Sequence, residues 1–329
     1  FPSNMKKILT FLVLLLAVSR LQAQEGSFSQ TLLRLPISSH VAALGGENIS
    51  LTEDAPWAGL SNPALLSGVS DLSLGLNFMT YAGGSKYAGA EFVKAFGERH
   101  TGMVFGQMLG YGEMNETDAS GNVLGKFSPK DMVVGVGYSY LLSDRWAGGA
   151  TLKGIYSKYA DFSAFAVAVD LGINYFDEDR DLSLSATMMN IGAPLKSFDD
   201  RTERLPFNLQ VGFTKGMAHA PVRFSLALTD LTHWRDKDFF HPSDEKMKFT
   251  TKALSHIVVG VDIEPTKFLY LSAGYNFRRA YELKAAGESH WAGLTAGGGV
   301  TVGGFRLGVA YAKYHMACNS LIFNAGYAF

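Results

Sequence analysis

The histidine and acidic side chains of this sequence are candidates for metal binding and acid–base catalysis, but they are widely spread. The eight histidines are His40, His100, His219, His233, His241, His256, His290 and His315. No two of them are three to five residues apart, a spacing typical of histidines that share a metal ion. An enzyme also needs its reacting groups in one cluster. We therefore predict a protein that is not an enzyme and that has no metal site and no cofactor.

One long polar segment, residues 233–255, comes nearest to a set of metal ligands. Its histidines and carboxylates are His233, His241, Asp236, Asp238, Asp244 and Glu245. Three lysines are interspersed among them: Lys237, Lys246 and Lys248. A run of solvated loop charge accounts for this composition better than a metal site does.

The same segment contains aromatic side chains that call for an explanation. They are Trp234, Phe239, Phe240 and Phe249. Aromatic residues on a long loop lower solubility unless they fold back or meet a partner. Both alternatives, contact with another protein and packing within the loop, remain open. We take the four residues as candidate partner-binding residues.

Two further motifs could bind ions. Residues 297–299 are three consecutive glycines, but no helix follows them as a phosphate-binding loop requires. Small residues that let another segment pack closely explain the glycines better. Residues 177–181 are acidic apart from Arg180, but they lack the ligand spacing of a calcium loop, and a solvated turn is favoured.

The elements that carry these residues alternate with a period of two, which is typical of strands with one wet and one apolar face. After residue 24 no apolar run reaches the roughly 18 residues of a membrane-spanning helix. Only closed strands then satisfy the backbone in a membrane. We predict about fourteen strands: 71–81, 86–96, 101–112, 131–141, 146–157, 163–175, 182–192, 207–215, 222–232, 256–264, 268–279, 289–302, 305–315 and 321–329.

The alternation also predicts which face each residue occupies. Leu72, Leu74, Leu76 and Phe78 share one face of the first strand, with small or polar residues between them. The apolar faces would meet lipid. Charged residues within strands, namely Arg223, Asp262 and Arg306, should then point into the lumen, because charge against lipid is costly.

The connections test the strand count. Residues 97–100, 142–145, 264–267 and 303–304 are tight turns, whereas 113–130, 193–206, 233–255 and 280–288 are longer and polar. With fourteen strands, all the tight turns fall at one end and all the long segments at the other. Bacterial outer-membrane barrels show this asymmetry, with short turns in the periplasm and long loops outside.

The two ends of the sequence agree with an exported barrel. Residues 1–23 include Lys6, Lys7 and the apolar run 8–18, and they predict a secretory signal peptide. The sequence ends on Phe329, as the last strand of an outer-membrane barrel commonly does. Residues 24–70 do not alternate and are rich in leucine, so we expect them to fold as a compact hatch inside the mouth of the barrel formed by 71–329.

Composition fits the same class. The chain has 329 residues, a mean hydropathy of +0.07, 36 glycines and 23 phenylalanines. Aromatic belts and small lumen residues are typical of membrane barrels. The formal net charge of −1 gives no indication of nucleic-acid binding. Cys318 is the single cysteine, so no intramolecular disulfide can form.

The predicted hatch contains three elements with a characteristic order. They are Ala42-Ala43-Leu44-Gly45-Gly46, Glu53-Asp54-Ala55 and Leu60-Ser61-Asn62-Pro63-Ala64-Leu65-Leu66. This order resembles the N-terminal signature of fatty-acid-transporter-like (FadL-like) outer-membrane barrels. The resemblance implies a barrel of fourteen strands with an N-terminal luminal hatch, in the outer membrane of a Gram-negative bacterium.

A narrower resemblance covers residues 28–95. The segments 33–50 and 77–84 look like those of the PorQ family of the Bacteroidetes type IX secretion system. That resemblance implies a non-catalytic component of the cell-surface attachment complex. Its partners would be a PorZ-like surface protein, PorU and PorV, together with outer-membrane lipid and lipopolysaccharide. The alternative is a FadL-like transporter of hydrophobic small molecules; an outer-membrane hydrolase lacks the residues it would need.

Overall fold

The computed structural model describes residues 30–118, 120–198, 204–240, 247–285, 290–315 and 318–329. The predicted signal peptide, residues 1–23, lies outside the described residues, as do residues 24–29. No helix among the described residues is long and apolar enough to cross a membrane.

Fourteen antiparallel strands form a closed barrel, and two more form a separate hairpin. The barrel strands follow one another around the wall, and β1 closes the barrel against β16, with Ser73 opposite Ala328 and Met79 opposite Ile322. The strands are β1 Ser73–Thr80, β2 Lys86–Phe96, β3 His100–Gly110, β4 Met114–Thr117, β5 Val123–Phe127, β6 Lys130–Ser143, β7 Trp146–Tyr159, β8 Phe162–Asp177, β9 Leu182–Lys196, β10 Asn208–Gly216, β11 Val222–Leu228, β12 Ile257–Thr266, β13 Leu269–Asn276, β14 Leu294–Val302, β15 Phe305–His315 and β16 Cys318–Ala328.

The predicted fold class is confirmed: a closed antiparallel barrel of fourteen strands. Closure leaves no free edge in the barrel sheet, so every barrel strand pairs on both sides. The predicted faces are also confirmed. On β1, Leu74, Leu76 and Phe78 are exposed on the outer surface, whereas Ser73 and Asn77 are buried on the luminal side.

The connections divide between the two ends as expected from the strand count. The tight turns join strands at the end where β1 begins, which we call the periplasmic end. One of them consists of Gly303 and Gly304, whose φ angles of 56° and 86° suit a two-residue hairpin turn. The long connections lie at the opposite, outer end, and the segment predicted as the loop 113–130 contains the hairpin β4–β5.

Several strands are shorter than predicted at the outer end. β11 stops at Leu228, β13 stops at Asn276, and β14 begins only at Leu294. Beyond β13 the chain forms a helix, because residues 277–285 lose the period of two. The helices are α1 Gln30–Arg34, α2 Ser39–Ala43, α3 Ala58–Ser61, α4 Phe249–Ser255 and α5 Phe277–Ala285, with a 3₁₀ turn at Pro63–Gly68.

The segment 30–70 lies across the lumen. Helix α2 packs against β13, β14, β15 and β16, and the turn Pro63–Gly68 packs against β3, β6, β7 and β8 on the opposite wall. Local capping shapes this segment. The Ser38 hydroxyl accepts a hydrogen bond from the Val41 amide at the start of α2, and Asn62 caps the 3₁₀ turn through the Ala64 amide. We refer to residues 30–70 as the hatch.

Candidate functional site

The hatch is seated on wall glycines whose missing side chains leave room for it. A Cβ built at Gly274 would collide with the backbone of Leu44 and Gly45, and one at Gly297 would lie 2.8 Å from the Ala43 Cβ. The inward glycines that touch the hatch are Gly75, Gly137, Gly149, Gly172, Gly212, Gly260, Gly274, Gly297, Gly308 and Gly326. They lie on ten strands, and we call them the glycine collar. The interpretation of Gly297 as a packing residue agrees with this geometry.

His40 is the centre of the polar contacts between hatch and wall. Its Nδ1 lies 2.9 Å from Glu53 Oε2 in the hatch, and its Nε2 lies 2.9 Å from Asp262 Oδ1 on β12. The ring stacks on Tyr270 with centroids 3.8 Å apart. Burial alone would lower the pKa of His40, but Glu53 and Asp262 outweigh it and raise the pKa to about 9. At neutral pH, therefore, a buried imidazolium joins two carboxylates.

Further polar contacts hold the hatch near the strand closure. The Asn324 side chain on β16 accepts a hydrogen bond from the Ser39 amide and donates one to the Ile37 carbonyl at 3.0 Å. Arg306 on β15 forms an ion pair with Asp54. The predicted luminal orientation of Arg223, Asp262 and Arg306 is confirmed, since all three contact other polar groups inside the barrel.

No motif in the sequence indicated the His40 cluster. Glu53 is 13 residues from His40 and Asp262 is 222 residues away. The spacing of residues in a motif can indicate contacting side chains only when they lie in the same helix, strand or loop. The one usable signal was an acidic residue, Asp262, at an inward strand position, since a buried carboxylate requires a partner.

At the outer end the hatch is tied to the loops. The Gly45 carbonyl accepts hydrogen bonds from Asn276 at 3.2 Å and from Arg279 at 3.1 Å. Arg34 lies 3.7 Å from Asp230, at the end of β11. Burial, with a contribution from Asp230, raises the pKa of Glu47 to about 7. The hatch is therefore bonded to both the wall and the outer loop layer.

Two of the cavities that adjoin the hatch are lined by both polar and apolar residues. A cavity of about 110 Å³ lies on its outer side, between residues such as Leu35, Ile49 and Phe105 and the ion pair of Lys153 with Asp170. A second cavity, of about 310 Å³, lies on the side of His40, Asp54 and Arg306. Neither resembles the largely apolar pocket that a hydrophobic ligand normally occupies.

The four candidate aromatic residues of the outer loop are not equivalent. Phe239 is 5% exposed and packs against His256 and beneath the guanidinium of Arg278, 5.1 Å from the ring centre. Trp234, Phe240 and Phe249 are 39%, 56% and 73% exposed. Trp234 and Phe249 stack on each other with centroids 6.0 Å apart. Phe239 therefore packs within the loop, and the other three face outward; we call these three the aromatic platform.

Charged contacts fix the loop beneath the platform. Arg278 on α5 pairs with Asp230 and donates a hydrogen bond to the Asp238 carbonyl at 2.8 Å. Lys252 on α4 lies 2.9 Å from Asp236. Opposite charges close to Asp230 hold the pKa of that carboxyl well below its usual range, against the opposing effect of its burial. Asp236, one of the carboxylates in the candidate metal-ligand set, thus serves as an ion-pair partner.

Among the described residues, no group of three histidine, cysteine or acidic side chains could hold a metal ion. His241, Asp244 and Glu245 of the nearest sequence candidate lie outside the described residues. The acidic turn 177–181 is occupied by ion pairs, because Asp177 lies 3.0 Å from Arg145 and 3.9 Å from Arg180.

Comparison with known proteins identifies the fold. No family model matches the sequence, and no curated protein matches it. Solved structures do match. The toluene transporter TodX of Pseudomonas putida has 13% identity and a TM-score of 0.52, over 92% of this chain and 98% of that one. A TodX deltaS2S3 mutant, described as a monoaromatic hydrocarbon channel, has 13% identity and a TM-score of 0.56, over 88% and 97%.

A FadL homologue of Pseudomonas aeruginosa is similar as well, with 10% identity and a TM-score of 0.52, over 88% of this chain and 98% of that one. Identities this low establish the fold alone. The chain has the fold of a FadL-type outer-membrane barrel, as its hatch signature implied.

Proposed function

We propose that this barrel is a non-catalytic anchor in the outer membrane of a Gram-negative bacterium and holds a protein partner at the cell surface. The observation that carries the proposal is the aromatic platform, Trp234, Phe240 and Phe249, on a loop fixed by the Arg278 and Lys252 ion pairs. Exposed aromatics on a rigid support commonly form the buried centre of a protein interface.

The packing of the hatch supports the same role. A transport path through the lumen would require the hatch to leave the glycine collar and to break the contacts of His40 with Glu53 and Asp262. An anchor requires none of these changes. The rigid hatch instead supports the loop layer from below, through Arg34 and Arg279.

The resemblance of residues 28–95 to the PorQ family supplies the finer form of this proposal. In that form the partner is a PorZ-like surface protein, and PorU and PorV belong to the same complex. Together they would attach secreted cargo to anionic lipopolysaccharide. The fold comparisons are compatible with this role but do not point to type IX secretion.

The anchor role is tested by changing the platform without unfolding the loop. In the triple variant Trp234→Ser/Phe240→Ser/Phe249→Ser the buried Phe239 stays in place. We expect the barrel to remain folded while the surface partner is released into the medium, measured by quantitative mass spectrometry of membrane and medium. The matched control is Val123→Ser/Leu124→Ser, at two exposed positions of the separate hairpin. Partner retention in the triple variant would refute the assigned surface.

A second candidate function is the transport of small hydrophobic molecules. The comparisons support it more directly than they support the anchor, because the matched structures are described as a toluene transporter and as monoaromatic hydrocarbon channels. In this case the hatch would have to move or rearrange to open a path.

A disulfide across the hatch separates the two candidates. A Cβ at Gly308 would lie 3.6 Å from the Ser39 Cβ, which is within the range for a disulfide. We would introduce Ser39→Cys/Gly308→Cys together with Cys318→Ser and measure the uptake of toluene in oxidised and reduced cells. A transporter should lose uptake on oxidation and regain it on reduction, whereas an anchor should keep its partner in both states. Ser39→Cys with Cys318→Ser is the control.

A further inference from the structure

Lysines form a row along part of the outer rim of the barrel. The register places Lys86 of β2 opposite Gly110 of β3, Gly110 opposite Lys130 of β6, and Lys130 opposite Lys158 of β7. Lys158 in turn lies opposite Ser163 of β8. The row therefore crosses five adjacent strands. Lys196 of β9 extends it, since its Nζ lies 2.7 Å from the Ser163 hydroxyl.

The lysines of this row point away from the lumen. Lys86, Lys130 and Lys158 are exposed, and each neighbours a buried luminal residue, respectively Tyr87, Asp131 and Ser157. Side chains alternate along a strand, so these lysines share the outward face with the lipid-facing residues.

The outward positions just below the row are apolar. Met132 and Val134 follow Lys130 on its strand, and Tyr156 and Leu152 lie below Lys158. Aromatic and apolar side chains under a charged rim mark the boundary between hydrocarbon and headgroups in membrane barrels. The lysine amines therefore lie at the depth of the outer-leaflet headgroups.

Within the part of the chain that the structure describes, no carboxylate pairs with Lys86, Lys130 or Lys158. Lys130 and Lys158 are directly opposite, which brings their Cβ atoms to roughly 4.5–5.5 Å, and like charges in such pairs repel. Lysines that do form ion pairs in the described residues include Lys126, Lys153 and Lys252. An external anion between the strands would offset the repulsion.

Gly110 provides space for such an anion. It separates Lys86 from Lys130, and a Cβ built on it would meet no atom within 4 Å. Strands are about 4.8 Å apart, so Lys86 and Lys130 flank a notch roughly 10 Å wide. A phosphate group attached to a lipid fits between amines at this separation.

We propose that the lysine row Lys86, Lys130, Lys158 and Lys196 binds the phosphate groups of outer-leaflet lipid headgroups. The site gives the barrel one lipid-binding side, formed by β2, β3 and β6–β9. At the ends of β11 and β12 the corresponding residues are Leu228 and Ile257, which carry no charge. This site is independent of the anchor and of the transporter function.

The test uses the full-length barrel in detergent and lipid A as the probe. Binding of bisphosphorylated lipid A and of its dephosphorylated form would be measured by native mass spectrometry. We expect the wild type to bind the bisphosphorylated form and to bind the dephosphorylated form at least tenfold more weakly. Lys130→Gln/Lys158→Gln should weaken binding of the bisphosphorylated form by roughly tenfold to thirtyfold.

The control removes the same charge at the opposite rim. Lys94 on β2 and Lys267 in a periplasmic turn are exposed, and Lys94→Gln/Lys267→Gln should bind lipid A like the wild type. Gel mobility of unboiled samples checks that each variant is folded, and Lys86→Gln/Lys196→Gln provides a second pair if the first fails to fold.

Equal affinity of the row variants and the wild type would overturn the proposal. So would displacement of lipid A by millimolar inorganic phosphate, which would indicate a site for free phosphate. Partner retention at the cell surface is a separate measurement, so a failure here leaves the proposed function intact.

Discussion

His40 links the hatch to the barrel wall through charge. A cationic imidazole lies between Glu53 and Asp262, and the Trp57 indole donates a further hydrogen bond to Glu53 at 2.9 Å. A buried cation with two carboxylate partners is stable only while it keeps its proton, since removing the charge leaves both acids without their counterion. The attachment of the hatch should therefore depend on pH.

We expect stability to fall as the pH rises from about 6.5 through 9. The folded protein holds the His40 proton more tightly than the unfolded chain does, because the folded pKa is about 9 and the ordinary value is 6.5. The stabilisation is complete below pH 6.5 and lost above 9, with a magnitude on the order of 3 kcal/mol. Thermal unfolding in detergent between pH 6 and 10 measures it.

His40→Gln is the control for this pH effect. The variant should be less stable at pH 6.5 and should lose less stability than the wild type between pH 7 and 9. Glu47 titrates mainly below that window. Its raised pKa of about 7 means that the protonated carboxyl stabilises the fold at low pH, and this stabilisation is lost as the pH rises from 4.5 to 7. If the wild type and His40→Gln change equally between pH 7 and 9, the assigned role of His40 is wrong.

The glycines of the wall strands matter as much for the fold as the apolar faces of those strands do. Each strand of the glycine collar has a position without a side chain where the hatch touches it. A barrel of this size would otherwise fill its interior with side chains or leave it open. The collar instead makes room for a second piece of backbone inside the lumen.

Gly274→Ala should loosen the hatch while leaving the barrel closed. The added Cβ would meet the backbone of Leu44 and Gly45, which has no flexible end to move aside. Overpacking of this kind costs about 1–3 kcal/mol. Limited proteolysis should cut the hatch faster in the variant, at unchanged β-sheet content by circular dichroism. Gly106→Ala is the matched control, since a Cβ at this position meets no atom within 4 Å. Equal cleavage of both variants would contradict the role of the collar.

The described residues form a closed wall around the hatch, with the long connections at the outer end. Closure through β1 and β16 gives every barrel strand two hydrogen-bonded neighbours. Such barrels resist detergent because no edge is available to initiate unfolding. The protein should therefore be heat-modifiable: unboiled and boiled samples should migrate differently in a denaturing gel.

A lipid-face substitution provides the comparison for that experiment. Val259→Lys places a charge on the exposed face of β12 and should cost roughly 2–4 kcal/mol, so that the folded band is lost at a lower temperature. Val259→Leu keeps the face apolar and should preserve the wild-type melting temperature. Identical band shifts for both substitutions would show that this face does not contact lipid or detergent.

The number of strands, their faces and the division of turns and loops between the two ends were predictable from the sequence. Alternation is a local property, because each side chain along a strand meets either lipid or lumen. This is why Leu74 and Arg306 could be assigned to opposite faces without any knowledge of their neighbours. The order of elements in the hatch likewise indicated the FadL-type fold.

Contacts between residues far apart in the sequence became known from the three-dimensional structure. His40 reaches Asp262 across 222 positions, Ser39 meets Asn324 at the strand closure, and Phe239 proved to be buried while Phe249 is exposed. The lysine row also depends on the register of five strands rather than on any motif. Such contacts are set by barrel closure and by the stagger between strands. Both follow from the pairing of the whole sheet, so they leave no periodic pattern in a local stretch of sequence.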